Sequence, residues 1–405
     1  MSVTSACEVC GNTDLEPALD LGLHPLCDDL VREGEERNCE LHHIRILFCA
    51  NCCTAHQQHQ VPKRLLFPES YHYRSRFTAD VLSGMDDLAH SCEQRLGGID
   101  GHLVLDIGCN DGSLLDAFLA RGARTAGIEP TGAARDASTR HAVIHDYFGE
   151  HSAAEVLQRF GVPDVITFTN VFAHIEDLQG LLQALRVIAG PQTLMVIENH
   201  YLGSVLARNQ FDTFYHEHPR TYSARSFVHI AAALGLAVQE IEFPARYGGN
   251  IRVFLGGRQS GFSRSEEHLA ATLAAEAGFG DALRALPRCV TRWQQKTIAL
   301  LDGLVAQHGP LRAKAFPGRA AILLTLLGVD VDRIATVHEK PGSMKIGHYV
   351  PGTRIPIRSD DELLQGPHPP VVINLAWHIG SEIRSYLLEK GYGGEVIDIL
   401  SDDGD

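Results

Sequence analysis

The sequence lacks any run of about 20 apolar residues, the length that a membrane-spanning helix requires. Its opening residues, Met1 to Ser5, also lack the basic and apolar regions of a secretory signal. A cytoplasmic protein with no membrane partner is expected. Positive charge is scarce as well: 35 Lys and Arg stand against 50 Asp and Glu, a formal net charge of −15. Polyanion binding depends on clustered Lys and Arg, so a nucleic-acid partner is not expected and a small molecule is. No fixed-period repeat or low-complexity stretch is present, which excludes solenoids and arrays. What is there is ordinary for a globular chain, 44% hydrophobic and 21% charged residues over 405 positions. That length suits two or three domains, here taken as a monomer.

Ten cysteines without a secretory signal read as metal ligands or reduced core residues rather than as a disulfide framework. Six lie in the first 52 residues. Cys7-x-x-Cys10-Gly11 and Cys49-x-x-Cys52 form two knuckles that together supply the four thiolates of a tetrahedral Zn2+ site, although Cys53, His56 and His59 offer other ligand sets. Four protein ligands would leave the metal no open position, so its expected role is structural. Most of the 22 histidines, His42 and His43 among them, are expected at the surface.

Between about residues 103 and 260, Leu103-Val104-Leu105, Asp164 to Phe168 and Thr193 to Ile197 read as short buried strands separated by helical segments, the pattern of a parallel sheet. Ala320 to Leu327, Arg333 to Val337, Val371 to Leu375 and Glu395 to Ile399 repeat that style and predict a second, smaller α/β domain. A helical connector is expected over 265–308, interrupted near Gly278-Phe279-Gly280-Asp281.

The apolar strand at 103–105 runs into Asp106-x-Gly108-x-Asn110-x-Gly112 and then a helical Ser113-Leu114-Leu115. Such a glycine turn lets backbone approach a ligand. The spacing differs from the G-x-G-x-x-G of dinucleotide-binding folds, which counts against NAD. At the end of the next strand stands Gly127-Ile128-Glu129-Pro130, where a carboxylate can take both hydroxyls of a ribose. This pair of motifs resembles the class I S-adenosylmethionine methyltransferases. The resemblance implies a doubly wound α/β sheet with Asp106, Gly108, Asn110 and Gly112 near the methionine end of the cofactor. It places Glu129 on the ribose and Asp146, Tyr147 and Phe148 near adenine.

Phe211 to His218 ends in Tyr215-His216-Glu217-His218, a phenol, two imidazoles and a carboxylate in a row, preceded by Asn199-His200-Tyr201. On an exposed helix this run would be solvated surface. Its flanking aromatics argue for partial burial, where an imidazole can serve as a base near neutral pH. Read in order, the Cys pairs, Tyr71-x-Tyr73, the glycine turn, Asn170 to Ile175 with His174, Tyr215-x-Glu217-His218, Gly248-Gly249 and Ala376-Trp377-His378 resemble the nucleotide-sugar C-methyltransferases.

That resemblance implies a zinc-binding domain at 1–66, a methyltransferase domain at 67–264 and a Rossmann-like substrate-binding domain at 309–405. It implies transfer of a methyl group to C3 of a dTDP-linked 4-keto-6-deoxy sugar, in deoxysugar and antibiotic biosynthesis. His218 is then the base, with Tyr215, Glu217, Tyr73 and His174 as its catalytic neighbours and Asn170 beside the cofactor. Tyr71, Asn199, Tyr201, Gly248, Gly249, Arg319, Trp377 and His378 are expected to contact the nucleotide-sugar. His216 has no assigned role. The family begins its C-terminal domain with Gly-Tyr-Gly-Ala and a following Lys, where this chain reads Ala315-Phe316-Pro317-Gly318-Arg319-Ala320. Either Arg319 replaces that lysine or the nucleotide sits differently. The competing functions are a methyltransferase acting on oxygen or nitrogen, and a non-catalytic binding protein with this fold.

Overall fold

The computed structural model describes residues 2–257 and 266–401, so the domain boundary expected at 264/265 lies outside the described residues. Seven strands form the central sheet: β1 (Leu103–Ile107), β2 (Arg124–Ile128), β3 (Ala142–Ile144), β4 (Val165–Thr169), β5 (Leu194–His200), β6 (Ala237–Glu242) and β7 (Asn250–Gly256). Their spatial order is β3-β2-β1-β4-β5-β7-β6, with β7 antiparallel to both neighbours and the other pairings parallel. This is the class I methyltransferase fold. Every residue of β1 is buried, as expected where helices cover both faces of a parallel sheet. Helix α1 (Ala79–Leu96) packs beside α2 (Ser113–Leu119), the helix that follows the glycine turn.

The first 60 residues form an antiparallel ribbon of Glu16–Pro25, Leu41–Cys49 and Thr54–Gln57, and Arg220–Thr221 of the methyltransferase region adds a fourth strand to it. The zinc module is therefore sewn into its neighbour by backbone hydrogen bonds. His42 is 4% exposed, contrary to the surface expectation, because it lies on an inward face of this ribbon.

After α3 (Phe279–His308) comes a second parallel sheet of β8 (Leu311–Lys314), β9 (Ile334–Glu339), β10 (Ile357–Ser359), β11 (Val371–Asn374) and β12 (Glu395–Asp398), in the order β10-β9-β8-β11-β12. Ala320 to Leu327, expected as a strand, is instead helix α4 (Ala320–Leu327), and the first strand is Leu311–Lys314. A continuous apolar run cannot be assigned to strand or helix by periodicity alone. Here six of its eight residues are buried, and Gly328 ends the helix in the left-handed region at φ 59°.

A buried ion network braces the sheet. Glu198 on β5 accepts from Nε of Arg246 and Nε of Arg252 at 2.6 and 2.7 Å, and Arg252 reaches on to Glu242 at 2.8 Å. Burial alone would raise the Glu198 carboxyl, but the two guanidiniums outweigh it and hold the group below its ordinary range. Its stabilising contribution is thus present above the usual carboxylate range and lost as pH falls through the folded value. Glu198→Ala strands two buried cations and is expected to cost about 3–5 kcal/mol in a denaturant-unfolding measurement at neutral pH.

Candidate active site and metal centre

The knuckles bring the sulfurs of Cys7, Cys10, Cys49 and Cys52 within 4.8 Å of one another. A tetrahedral zinc with bonds of about 2.3 Å places its sulfurs about 3.8 Å apart, so the cluster fits that ion. Further donors surround it: Asn12 donates from Nδ2 to Cys49 at 3.6 Å, Thr54 Oγ1 stands 3.0 Å from Cys52, and His56 Nε2 stands 3.2 Å from Cys7. These groups suit thiolate charge. Among the described residues no other group of three His, Cys or carboxylate ligands converges in this way.

A cavity of about 560 Å³ opens between the two α/β domains. One wall is the turn after β1, where the backbone takes left-handed angles at Gly108 (φ 74°) and Asn110 (φ 49°). A Cβ on Gly108 would lie 2.6 Å from Val171, so only glycine fits. The Asn110 N–H donates to Glu129 Oε2 at 2.9 Å, while Thr131 donates to Oε1 through its N–H at 2.9 Å and its hydroxyl at 2.6 Å. Glu129 is thereby fixed on the cavity wall, which suits a sugar diol. Asp106 accepts from Thr167 at 2.7 Å; burial, with the nearby Glu129 charge, pushes it up to about 7. Tyr147, Phe148 and Asn170 line the same wall.

Over this turn lies the segment 71–78. Ser75 N–H donates to Asn110 Oδ1 at 3.1 Å, Arg76 N–H to Asp111 Oδ2 at 3.0 Å, and Asn110 Nδ2 to the Tyr73 carbonyl at 3.2 Å. Tyr71 and Tyr73 are held above the cavity by these bonds.

The opposite wall carries Tyr215, Glu217 and His218. His218 Nδ1 lies 2.8 Å from the Thr213 carbonyl, so that nitrogen bears the proton and Nε2 keeps its lone pair. Its ring packs against His174, His200 and Tyr215 at centroid distances of 4.9, 5.1 and 4.3 Å. Burial pushes His218 down to about 4, and it also drives His174 and His200 well below their ordinary value. Glu217 moves the other way: burial and then the charge of Asp28 push it up to about 8, against the opposing hydrogen bond that Tyr71 donates to Oε2 at 3.2 Å. At neutral pH the centre therefore offers a neutral imidazole beside a neutral carboxyl.

Arg319 and His378 also reach the cavity, but several expected residues do not. Gly112 lies under it, where a Cβ would strike His141 at 2.8 Å, and serves the entry to α2. Asp146 is exposed and accepts from the next N–H, that of Tyr147, at 2.7 Å. Asn199 accepts from Ala173 N–H at 3.3 Å, and Tyr201 donates to Glu276 at 3.1 Å, both away from the wall. Side chains alternate along a strand, so choosing Asn199 and Tyr201 selected the face opposite His200, the residue that lines the cavity. At Gly248 a Cβ would meet the Gln210 side chain at 2.3 Å, and at Gly249 the Ser204 side chain at 2.4 Å, so these glycines serve packing. Trp377 is buried with its N–H on Asp212 Oδ2 at 2.8 Å. His216 points away and meets the His42 carbonyl at 3.1 Å.

The turn has no lysine, but the cavity has others. Lys314, Lys340 and Lys345 all line the C-terminal half of the cavity, with Lys345 Nζ 2.6 Å from the Phe316 carbonyl. Sequence reasoning also passed over Asp28, Asp212 and Glu339. Of these only Asp212, inside the titratable run, carried a signal.

Two measurements test these sites. Cys49→Ser is expected to lose zinc by elemental analysis and to lower the unfolding temperature. Glu129→Ala is expected to weaken S-adenosylmethionine binding in calorimetry by about 10- to 100-fold, the loss of hydrogen bonds to a charged group.

Three family models match in succession: a zinc binding domain at residues 7–67, a methyltransferase domain at 81–241 and a C-methyltransferase C-terminal domain at 245–397. The C-methyltransferase NovU of Streptomyces niveus is 28% identical over 397 residues, covering 95% of this chain and 93% of that protein. A ubiquinone biosynthesis O-methyltransferase of Pectobacterium atrosepticum is 32% identical over only 102 residues, 24% of this chain and 42% of its own length. Among solved structures, magnesium protoporphyrin IX methyltransferase of Synechocystis aligns with a TM-score of 0.34 at 14% identity, covering 44% of this chain and 80% of that one. With a four-cysteine cluster, the methyltransferase sheet and three domain models matched in succession, the chain is an S-adenosylmethionine-dependent methyltransferase with an N-terminal zinc-binding domain and a C-methyltransferase C-terminal domain, similar along nearly its whole length to a C-methyltransferase.

Proposed function

We propose that the enzyme methylates C3 of a nucleotide-linked 4-keto-6-deoxy sugar, a dTDP-sugar, through an enolate, with His218 as the base. The observation that carries this reading is the locked tautomer of His218: its Nε2 lone pair stands in the same cavity as the glycine turn and Glu129. A carbon acid needs a base before it can take a methyl group. The C3 proton passes to Nε2, and its electron pair becomes the C3–C4 double bond as charge moves to the ketone oxygen. S-adenosylmethionine, held along the Gly108 to Glu129 wall, supplies the electrophilic methyl group. Tyr215 and Tyr73 supply hydroxyls near the developing oxyanion, and His174 stacks on the base. A neutral Glu217 spares the enolate a buried negative neighbour.

The cavity's other half suits a nucleoside diphosphate. Lys340, Lys345 and Arg319 offer positive charge there, and Glu339, at the end of β9, accepts from the Phe316 N–H at 2.7 Å. Glu339 thus stands to its own turn as Glu129 stands to Asn110. Tyr71 and His378 complete the substrate wall in this reading.

Incubation with dTDP-4-keto-6-deoxyglucose in deuterated water, without methyl donor, is expected to place deuterium at C3. His218→Asn is expected to slow that exchange about 10²- to 10⁴-fold. Methylation without exchange would instead indicate transfer to oxygen or nitrogen. A second test uses pH. The carboxyl of Glu217 loses its proton as pH rises through about 8, so kcat/KM is expected to fall on the alkaline side of that value, and Glu217→Gln is expected to remove that limb.

A further inference from the structure

Asp212 begins the segment that carries the base, yet it touches no part of the cavity. It is fully buried, and both of its oxygens are taken by the C-terminal domain. Arg319 donates from Nε to Oδ2 at 2.8 Å and from Nη2 to Oδ1 at 2.6 Å, and the Trp377 indole N–H adds a bond to Oδ2 at 2.8 Å. Gln210 accepts from Arg319 Nη2 at 3.2 Å and donates to the Gly248 carbonyl at 2.6 Å, which ties the same guanidinium to the methyltransferase sheet. One residue beyond Asp212, the Thr213 carbonyl holds Nδ1 of His218 at 2.8 Å. Thr213 itself sits in a tight turn with its N–H on the Gln210 carbonyl at 3.0 Å. From Arg319, at the start of α4, to the imidazole of His218 the path is therefore three residues and two hydrogen-bonded contacts long.

We propose that Asp212 is a positioning residue for the base and Arg319 its anchor, so that seating the C-terminal domain fixes the tautomer and orientation of His218. Removing one partner of a buried pair frees the other to move or to draw in water. The turn at 211–213 then loses its fixed point, and the Thr213 carbonyl loses its aim. The base is competent only when the domain that faces the substrate is docked. The charge of Arg319 also reaches His218, His200 and His378, where it opposes protonation. The titratable groups packed against His218 are His174, His200 and Tyr215, with Glu217 preceding it in the chain.

This inference rests on His218 acting as the base, and its test has one arm that needs no substrate. Nitrogen-15 shifts of the His218 ring, assigned by their loss in His218→Asn, are expected to show one Nδ1–H tautomer in the parent. Asp212→Asn and Arg319→Gln are expected to show a mixture. Both variants should bind S-adenosylmethionine within about threefold of the parent while C3 deuterium exchange falls about 10- to 100-fold. The paired Asp212→Asn/Arg319→Gln variant, which restores a neutral amide contact, is expected to regain part of that loss. Arg319→Lys keeps the charge without the fork and guards against misfolding of the glutamine variant; it is expected to fall in between. A folded Asp212→Asn or Arg319→Lys protein with the parent's tautomer and exchange rate would overturn the proposal. A parent that shows the single tautomer but no exchange would instead sink the enolate reading, leaving the positioning result to be judged on the ring shifts.

Discussion

One apolar cluster holds the enzyme together across its domains. It runs from Leu19, Ile46 and Phe48 of the zinc module through Phe211 and Phe214 of the catalytic segment. From there it passes through Leu283 and Trp293 of α3 to Ile322, Val337 and Trp377 of the C-terminal domain. The cluster as a whole is shared by all the domains. Each fully buried side chain of this kind contributes about 1.5–3 kcal/mol relative to exposure, and that stabilisation is realised only when all the parts are in place. The segment carrying Tyr215, Glu217 and His218 begins inside this cluster, since Phe211 packs on Trp293 at 5.0 Å. Its geometry is a property of the assembled chain.

The same assembly buries the groups of the centre, and burial decides which of them carry charge. An imidazole and a carboxyl respond to burial in opposite directions, yet both arrive at their neutral forms: His218 falls to about 4 and Glu217 rises to about 8. The charged groups nearby are paired, as Arg319 with Asp212 and Lys314 with Asp360 at 2.9 Å. A centre with little uncompensated charge lets a developing negative charge decide where the field is felt. The zinc module takes part from a distance, because Asp28 of its arm lies on the cavity wall and accepts from His72 at 3.0 Å.

Much of this was legible in the sequence because it depends on local rules. The glycine turn and Glu129 follow from left-handed angles and from the end of a strand, both readable from residue type. The four cysteines follow from ligand spacing. What misled were features set by tertiary contact. Ala320 to Leu327 is apolar throughout, so neither period shows, and its helical state is decided by the left-handed end at Gly328 and by burial on both sides. The Asn199-His200-Tyr201 motif does not say which face of the strand meets the cavity, and it is His200 that does. Gly248 and Trp377 carry the marks of a site yet serve packing, since a glycine can be required by Gln210 as readily as by a ligand. Asp212 stands inside the titratable run, but its role could not be read there, because its partner lies 107 residues away.

The two α/β domains present the same device to one cavity. In each, a strand ends in a strained turn that enters a helix, and a carboxylate at the end of the neighbouring strand accepts a turn N–H: Glu129 from Asn110 at 2.9 Å, Glu339 from Phe316 at 2.7 Å. The second turn reaches its left-handed residue with alanine, Ala315 at φ 62°, where the mirror angle costs an L-residue about 1–2 kcal/mol. Such a cost persists only where the surroundings impose the conformation, and here the Ala315 N–H is held by the His338 carbonyl at 2.8 Å. A carboxylate bonded to its own turn is held in one orientation on the cavity wall, the arrangement that suits a sugar hydroxyl. Two such units facing each other would hold two nucleosides by their riboses, with their reactive ends converging between them. His218 lies between them, on the segment that Asp212 joins to the second domain through Arg319 and Trp377. Methyl transfer from a sulfonium sulfur demands alignment more than it demands chemistry from the protein. Two opposed turns, each with its carboxylate, and one imidazole held between them would supply that alignment directly.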